Sequence, residues 1–319
     1  MKRAVMVVVF AALALGAVLM LRTPQAPPIT PLLPGLKAAL PTLESFELSQ
    51  SDTTLTLRRG SNDWLIEDAR WPADQRWLQP LLLGLAEAHC DEPRTALSSR
   101  FSEIGVDWPR AQPPSAAEEG FAQPTARLSV VINGTPKSVV IGFARSRGGT
   151  FVRVEGDPSS CFTRTDLRLP AALAEWFEPR LLTVPMAEVE TVQLDDVGAP
   201  PLRLVVREGR AIPEGQPMAL TPLSDALVSA LLNLRLDRVL ALGDAPEAQR
   251  TIHLSLSGER LVRVALWRDG STTWASLQAL GGDAEWMRFA QRLEERRFSL
   301  PPDVADPLWA SRASLSGSN

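Results

Sequence analysis

The chain has few of the residues that build metal sites and catalytic centres. Of its 319 residues only two are histidine and two are cysteine, and none is tyrosine. His89 and His253 have no partner at H-x-x-x-H spacing, and the cysteines do not form a C-x-x-C pair. Structural zinc sites and nucleophilic triads depend on such residues. The sequence therefore predicts no catalytic residue, no metal site and no cofactor.

Clustered positive charge is also missing. The formal net charge is −4, and no basic stripe or patch of the kind used to bind nucleic acid stands out. The adjacent carboxylates Asp195 and Asp196 fall in a strand-like stretch, where neighbours point to opposite faces. They are therefore interpreted as solvated groups and not as a catalytic pair. We expect no nucleic-acid partner.

A long hydrophobic run occurs once, at the amino end. Lys2 and Arg3 precede 18 residues without a charge, at positions 4–21. A helix of that length spans roughly 27 Å, close to a bilayer core of about 30 Å. With the positive residues before it, residues 1–22 are predicted to be a single-pass anchor in the inner membrane, with the bulk of the chain in the periplasm. A cleaved signal peptide is the alternative.

Proline is abundant after this run. Residues 23–42 are predicted to be a stiff spacer of extended polyproline form, or alternatively a disordered tether. The last segment, residues 302–319, is polar and small, and it is predicted to be a flexible tail.

The remaining chain repeats a pattern. Leu55, Leu57 and Gly60 are matched 149 positions later by Leu204, Val206 and Gly209, and the helix-spaced leucines 78, 82 and 85 recur at the same offset. A later strand recurs at an offset of 124, and the difference corresponds to a Pro-rich insertion at about 107–125. The predicted fold is α+β: two similar tandem modules of antiparallel sheet plus helix, at 43–185 and 186–301, after the transmembrane helix.

Individual elements can be placed within the modules. Asp74 and Thr221 are candidate helix N-caps, and Pro80 predicts a late start or a kink in the first helix. The Gly148–Gly149 pair predicts a hairpin turn. A short helix is predicted within residues 166–182, and the stretch 283–301 is interpreted as the counterpart of 171–185.

Weak candidates for a binding site lie in loops. Arg145 and Arg147 flank the predicted turn tip and suit an anionic polymer or a lipid headgroup, although arginines often only solvate a turn. Trp108, with Trp71 and Trp309, flanks a proline and is a candidate for the surface, whereas Trp64, Trp77, Trp176 and Trp286 are assigned to apolar faces.

The two cysteines leave two alternatives open. Export would place Cys90 and Cys161 in an oxidising compartment, where a disulfide is chemically allowed. Otherwise they are two small, buried apolar residues.

The order of the motifs resembles a known family. LTLRRGSNDWLIE, PADQRWLQPLLLGLAEA, FSEIGVD and ARLSVVINGTPKSVVIGFARSRGGTFVRVEGD are similar to the bacterial family catalogued as domain of unknown function 4340, over residues 43 to about 300. The resemblance implies an amino-terminal anchor and an exported α+β body, often in duplicate. It also implies a link to ABC-type transport systems related to gliding motility, and it implies no catalytic residue. The insertion after FSEIGVD departs from the pattern.

Three functions follow as hypotheses. The first is a non-enzymatic, membrane-anchored extracytoplasmic accessory protein that binds protein partners in the envelope. The second is a module that binds an envelope polymer or lipid. The third is a hydrolase with a site between the modules, where ligand sites often form.

Overall fold

Two antiparallel sheets, one in each half of the chain, form most of the fold. The computed structural model describes residues 30–50, 52–60, 63–108, 125–215 and 222–316. The first sheet contains β1 Ser45–Gln50, β2 Thr53–Arg59, β3 Trp64–Ile66, β4 Trp71–Pro72, β5 Glu92–Pro93, β6 Ala126–Ile132, β7 Thr135–Ala144, β8 Thr150–Val154 and β9 Cys161–Thr163. The second contains β10 Val189–Asp196, β11 Leu202–Arg207, β12 Arg210–Pro213, β13 Arg238–Ala241, β14 Arg250–Leu256, β15 Arg260–Asp269, β16 Thr272–Leu280 and β17 Arg296–Leu300. The α+β class with two sheet modules is confirmed.

Six α-helices accompany the sheets in the described part of the chain. They are α1 Leu36–Ala39, α2 Gln75–Glu87, α3 Pro222–Leu232, α4 Ala284–Leu293, α5 Pro302–Leu308 and α6 Arg312–Ser316. The longest helix of the first module, α2, buries a stripe of leucines against the first sheet, and α3 does the same against the second. Each sheet therefore has its own apolar core beneath its own helix.

The two sheets share one strand order. The first is β4-β3-β2-β1-β6-β7-β8-β9-β5 and the second is β12-β11-β10-β14-β15-β16-β17-β13. Apart from β4, each strand of the first sheet has a counterpart in the second. Helix α2 follows β3 and the extra strand β4, and α3 follows β12, the counterpart of β3. The strand order thus agrees with the repeat inferred from the offsets.

The registers of the two copies differ by one pleat. In the first sheet Leu48 lies opposite both Leu55 and Leu128. Their counterparts at the two offsets, Leu204 and Ile252, lie opposite residues of β10 that are two positions apart. Because side chains alternate with a period of two, a slip of two leaves the same residues on the buried face.

Helix α2 begins earlier than Pro80 predicted. Asp74 caps α2, and its carboxylate accepts the Arg76 N–H at 2.9 Å. Pro80 lies inside the helix, so the predicted late start is wrong. The cap holds the first turn, and burial of Leu78 and Leu81 offsets the backbone hydrogen bond that proline cannot make. The Thr221 cap lies outside the described residues.

The carboxyl-terminal segment is folded through residue 316, contrary to the flexible tail predicted for 302–319. Helices α5 and α6 bury Leu308 and Leu315 in the second core. The buried Ser224 of α3 donates a hydrogen bond to the Leu315 carbonyl at 3.0 Å. The tail covers a face of α3 that would otherwise be exposed.

The spacer predicted for 23–42 is structured from Thr30 onward. Leu32, Leu33 and Leu36 are buried in the first core, and the Leu32 N–H donates to the Ala88 carbonyl at 2.9 Å. The proline-rich composition led to the prediction of a spacer, although the burial of these three leucines attaches the segment to the first module.

Residues 1–29, which include the predicted anchor, and 109–124, which include most of the insertion, lie outside the described residues. No helix in the described ranges is both long enough and apolar enough to cross a bilayer.

Two further assignments are wrong. The predicted helix within 166–182 is a single 3-10 turn, Leu173–Trp176, because Pro170 and Pro179 bracket it. The stretch 283–301 is not its counterpart, since α4 precedes the last strand of its sheet whereas the turn follows β9. Helix α4 is an addition to the second module.

The modules touch through a short strand and a linker. Trp71 of β4 packs edge-on against Phe298 of β17 at 5.2 Å between ring centroids, so its prediction as a surface residue is wrong. Arg296 donates hydrogen bonds to the Ala69 and Arg70 carbonyls at 3.1 and 3.2 Å. Leu181 in the linker is buried in the second core, so the boundary predicted at 185 falls inside that core.

Candidate functional site

The titratable residues form no reactive cluster in the part of the chain that the structure describes. No group of three His, Cys, Asp or Glu side chains is placed to hold a metal ion there. His253 faces Asp195 at 3.1 Å in the second module, and His89 faces Asp91 at 3.2 Å in the first. Each is a half-exposed surface pair, and the two lie in different modules.

The two cysteines are joined by a disulfide. Cys90 follows α2 and Cys161 begins β9, and their Cα atoms are 5.4 Å apart. The bond closes a loop of 71 residues and fastens the two-residue strand β5 to the sheet. Of the two alternatives left open by the sequence, the structure has the bonded form.

The predicted loop tip at Arg145 is a tight hairpin between β7 and β8. The Arg145 N–H donates to the Gly149 carbonyl at 3.0 Å, and the Gly148 N–H donates to the Arg145 carbonyl at 2.9 Å. Gly149 has φ +88°, and a Cβ there would lie 2.4 Å from the Phe162 ring. Glycine therefore lets Phe162 pack directly on the hairpin.

The guanidinium of Arg145 lies over two aromatic rings. Its Cζ is 4.9 Å from the centroid of Phe151 and 4.5 Å from that of Phe162. Arg94 approaches the same rings at 5.9 and 5.6 Å. Cation–π contact of this kind attracts a guanidinium to the ring face. The hairpin and the rings together fix where Arg145 points.

A cleft of about 520 Å³ opens beside this arginine. We name it the Arg145 cleft. Three arginines and one carboxylate line it together with small and apolar residues, namely Pro93, Arg94, Thr95, Ala96, Arg100, Glu103, Ile104, Arg145 and Phe151. Arg94 is paired with Glu92, and Arg100 is paired with Glu103 at 3.0 Å. Among the described residues Arg145 has no carboxylate partner. Counted over the described residues, the cleft therefore has one more arginine than the carboxylates that pair with its arginines.

A small apolar cluster, separate from the two module cores, supports the cleft from the first sheet. It consists of buried aromatic and aliphatic side chains, namely Phe101, Val106, Val140, Phe143, Phe151 and Phe162. The segment with Phe101 and Val106 crosses β7 at Gly142, where a Cβ would lie 2.4 Å from the Ile104 carbonyl oxygen. Trp108 packs against this core and is half-buried, whereas Arg147 is exposed. Neither Trp108 nor Arg147 lines the cleft.

A second depression, of about 460 Å³, lies between α4 and the linker. Trp286 and Phe289 of α4 line it with their rings 5.2 Å apart. Arg260 stacks on Trp286 at 5.1 Å and pairs with Glu188 at 2.5 Å. On the same helix Met287 is 44 % exposed. Trp286 is thus only partly covered, and its assignment to the core was too strong. The pairing of 283–301 with 171–185 hid the fact that this helix has no counterpart in the first module.

Comparison with known proteins yields one match. The sequence profile of the family described as Domain of unknown function (DUF4340) matches residues 64–255 of this chain. No curated protein and no solved structure matches it significantly.

Proposed function

This chain belongs to the DUF4340 family, which is defined by sequence and not by an activity, and from that premise we propose that it is a non-enzymatic accessory protein of the cell envelope. In this proposal a single amino-terminal helix anchors it in the inner membrane. The two modules lie on the extracytoplasmic side and bind other proteins there.

The observation that carries the binding role is the uncovered face of α4. Only Ala290 and Leu293 of this helix are buried, while Trp286, Met287 and Phe289 remain partly or largely open to solvent. Aromatic residues and methionine are enriched in protein interfaces. Helix α4 is present in one copy of the repeat and leaves its apolar side half exposed. These two features favour a role in binding a partner protein over a role in packing the core.

Two features support the extracytoplasmic location. A disulfide between Cys90 and Cys161 is the form expected in an oxidising compartment. The uncharged run at 4–21 after two basic residues has the length and polarity of an anchor. The link of the resembling family to ABC-type transport makes such an assembly the first partner class to examine.

A hydrolytic site between the modules has less support. The contact region is filled by the Trp71–Phe298 pair and by Arg296. A depression lined by residues of both modules is small, about 140 Å³, and its buried carboxylate Asp74 already caps α2. A polymer or lipid ligand has one specific observation in its favour, the Arg145 cleft.

Site-specific photocrosslinking in intact cells tests the proposal. A photoreactive amino acid replaces Met287 on α4, and the matched control replaces Val131, which is 57 % exposed on the first module. We expect a discrete, heavier product at position 287 and none at 131, with the captured protein identified by mass spectrometry. Recovery of only the free monomer at position 287, or the same product at both positions, would contradict an interface on α4.

A further inference from the structure

Positive charge is concentrated at one rim of an otherwise acidic protein. Arg94, Arg100, Arg145 and Arg147 lie in or beside the Arg145 cleft, and within the described ranges the carboxylates that pair with them are Glu92 and Glu103. The whole chain carries −4. Such a local excess of positive charge attracts anions, because a bound anion reduces the repulsion between the arginines.

The guanidinium of Arg145 has no polar partner among the described residues. Its Cζ lies over the rings of Phe151 and Phe162, and its N–H groups make no hydrogen bond or ion pair with another described residue. Those groups match the spacing of two oxygens on a phosphate. The hairpin fixes the backbone of Arg145 and the two ring contacts restrict its exposed side chain, so a ligand would have less side-chain freedom to remove on binding.

The walls of the cleft are also held in place. Ser160 donates its hydroxyl to the Thr95 carbonyl at 2.9 Å, and its own N–H donates to the same carbonyl at 2.9 Å. Cys161, which precedes Phe162 in β9, is bonded to Cys90, and β9 pairs with β5, the strand directly before Arg94. These contacts hold the backbone segments around Thr95 and Phe162 in place, and the exposed side chains of Arg94, Arg100 and Arg145 project from this fixed frame.

We propose that the Arg145 cleft binds a phosphate ester. The volume of about 520 Å³ exceeds what a bare phosphate ion fills, and the lining combines arginines with the apolar Ile104 and Phe151. Leu97, on the same wall segment as Thr95, is 62 % exposed. The cleft therefore suits a phosphate carried on an organic body, either a soluble phosphomonoester or the headgroup of a phospholipid.

Calorimetric titration tests this with two probes, glycerol 3-phosphate in solution and vesicles of phosphatidylglycerol, with phosphatidylcholine vesicles as the uncharged reference. We expect Arg145→Ala to weaken binding of whichever phosphate source binds by about tenfold or more, the loss expected for a charge-assisted bidentate contact. Arg147→Ala is the matched control, since it removes the same charge two residues away but outside the cleft. It should change the affinity by less than about twofold, as expected for a screened surface charge.

The lysine variant separates geometry from charge. Arg145→Lys keeps the charge but loses the planar fork, so it should lose most of the affinity as well. Vesicle binding alone that depends on Arg145 would assign a lipid headgroup, and binding of glycerol 3-phosphate would assign a soluble ester. No binding by either probe, equal losses in Arg145→Ala and Arg147→Ala, or full affinity in Arg145→Lys would overturn the proposal. Unchanged thermal unfolding of each variant excludes misfolding as the cause, and crosslinking at Met287 tests the α4 interface separately.

Discussion

At the scale of single residues, Asp196 pairs with two arginines, whereas every other ion-paired carboxylate among the described residues pairs with one basic side chain. It accepts hydrogen bonds from Arg250 at 2.5 and 3.0 Å and from Arg312 at 2.7 Å. Arg250 is itself buried and donates to the Leu308 and Ala310 carbonyls. The network ties the end of β10 to the carboxyl-terminal helices, so one carboxylate holds the tail against the second module.

Replacing Asp196 with asparagine should destabilise the protein by on the order of 3 kcal/mol, because it leaves the charge of buried Arg250 uncompensated. Urea denaturation followed by tryptophan fluorescence at pH 7 measures the loss. Asp195→Asn is the control, since that neighbour makes only a surface pair with His253 and a hydrogen bond with Gln193. Equal unfolding midpoints for the two variants would rule out the stabilising role of the network.

The same network makes a pH prediction. Burial by itself would raise the pKa of Asp196, but hydrogen bonds and charges from Arg250 and Arg312 outweigh it and hold the pKa below its ordinary value of 3.8. Stability from a carboxylate with a lowered pKa is present above that ordinary value and is lost as the pH falls toward the folded-state pKa. The difference in unfolding free energy between wild type and Asp196→Asn should therefore be constant from pH 7 to about 5 and shrink below about 4. A difference that stays unchanged down to pH 3 would contradict the lowered pKa.

At the scale of elements, two helices begin with an aspartate cap in different surroundings. The Asp74 side chain is almost fully buried under α2, and Asp74 also donates its backbone N–H to the Trp176 carbonyl at 2.7 Å. Asp283 caps α4 through the N–H groups of Glu285 and Trp286 on the surface, and these backbone hydrogen bonds lower its pKa. Helix α2 covers the core of the first module, whereas α4 is an addition to the second module.

Asp74→Ala should therefore cost about 1–2 kcal/mol of global stability, as lost N-caps do, and Asp283→Ala should cost less. Differential scanning calorimetry of the two variants measures the comparison. A larger loss in Asp283→Ala would mean that α4 supports the second core more than its exposure suggests.

The carboxyl-terminal helices provide a second test at this scale. Leu308 is fully buried between α5 and the second core, while Leu280 at the end of β16 is 53 % exposed. Leu308→Ala should cost roughly 2–5 kcal/mol from lost burial and the cavity left behind. Leu280→Ala is the size-matched control and should remain within about 0.5 kcal/mol of wild type, as surface substitutions do. Equal chemical-denaturation curves for Leu308→Ala and Leu280→Ala would mean that residues 302–316 are only loosely attached to the second module.

At the scale of the whole molecule, two separate cores are held together by a small contact region and a linker. The disulfide lies in the first module, and its closed loop of 71 residues restricts the unfolded chain of that module. The second module has no such bond. Their contact depends on Trp71, which is inserted into the second core, and on Arg296, which reaches back to the first module.

Replacing Cys90 and Cys161 together with serine should lower the stability of the first module by about 4 kcal/mol, the chain-entropy value for a loop of this length. Hydrogen exchange with mass spectrometry resolves the two modules: protection should fall in β5–β9 and remain unchanged in β14–β16. Thiol titration of the native protein without reductant, expected to find no free thiol, is the control. Equal loss of protection in both sheets would mean that the modules unfold as one unit.

The sequence by itself determined the features that depend on short-range patterns. Alternating leucines predicted β2 and β11, Asp74 predicted the cap of α2, the glycine pair predicted the Arg145 hairpin, and two offsets predicted the duplicated order of strands. Local sterics and periodicity control all of these, so they can be identified without a partner segment.

Only the tertiary structure decided the features that depend on residues far apart in the chain. Leu32 and Leu308 are anchored by cores that lie many residues away, so composition alone made their segments resemble a spacer and a tail. The Arg145 cleft is assembled from separate stretches of the chain. The hairpin motif predicted the position of Arg145 but not the residues that line the cleft with it. Burial and charge compensation depend on these long-range neighbours, and the fold alone specifies which residues become neighbours.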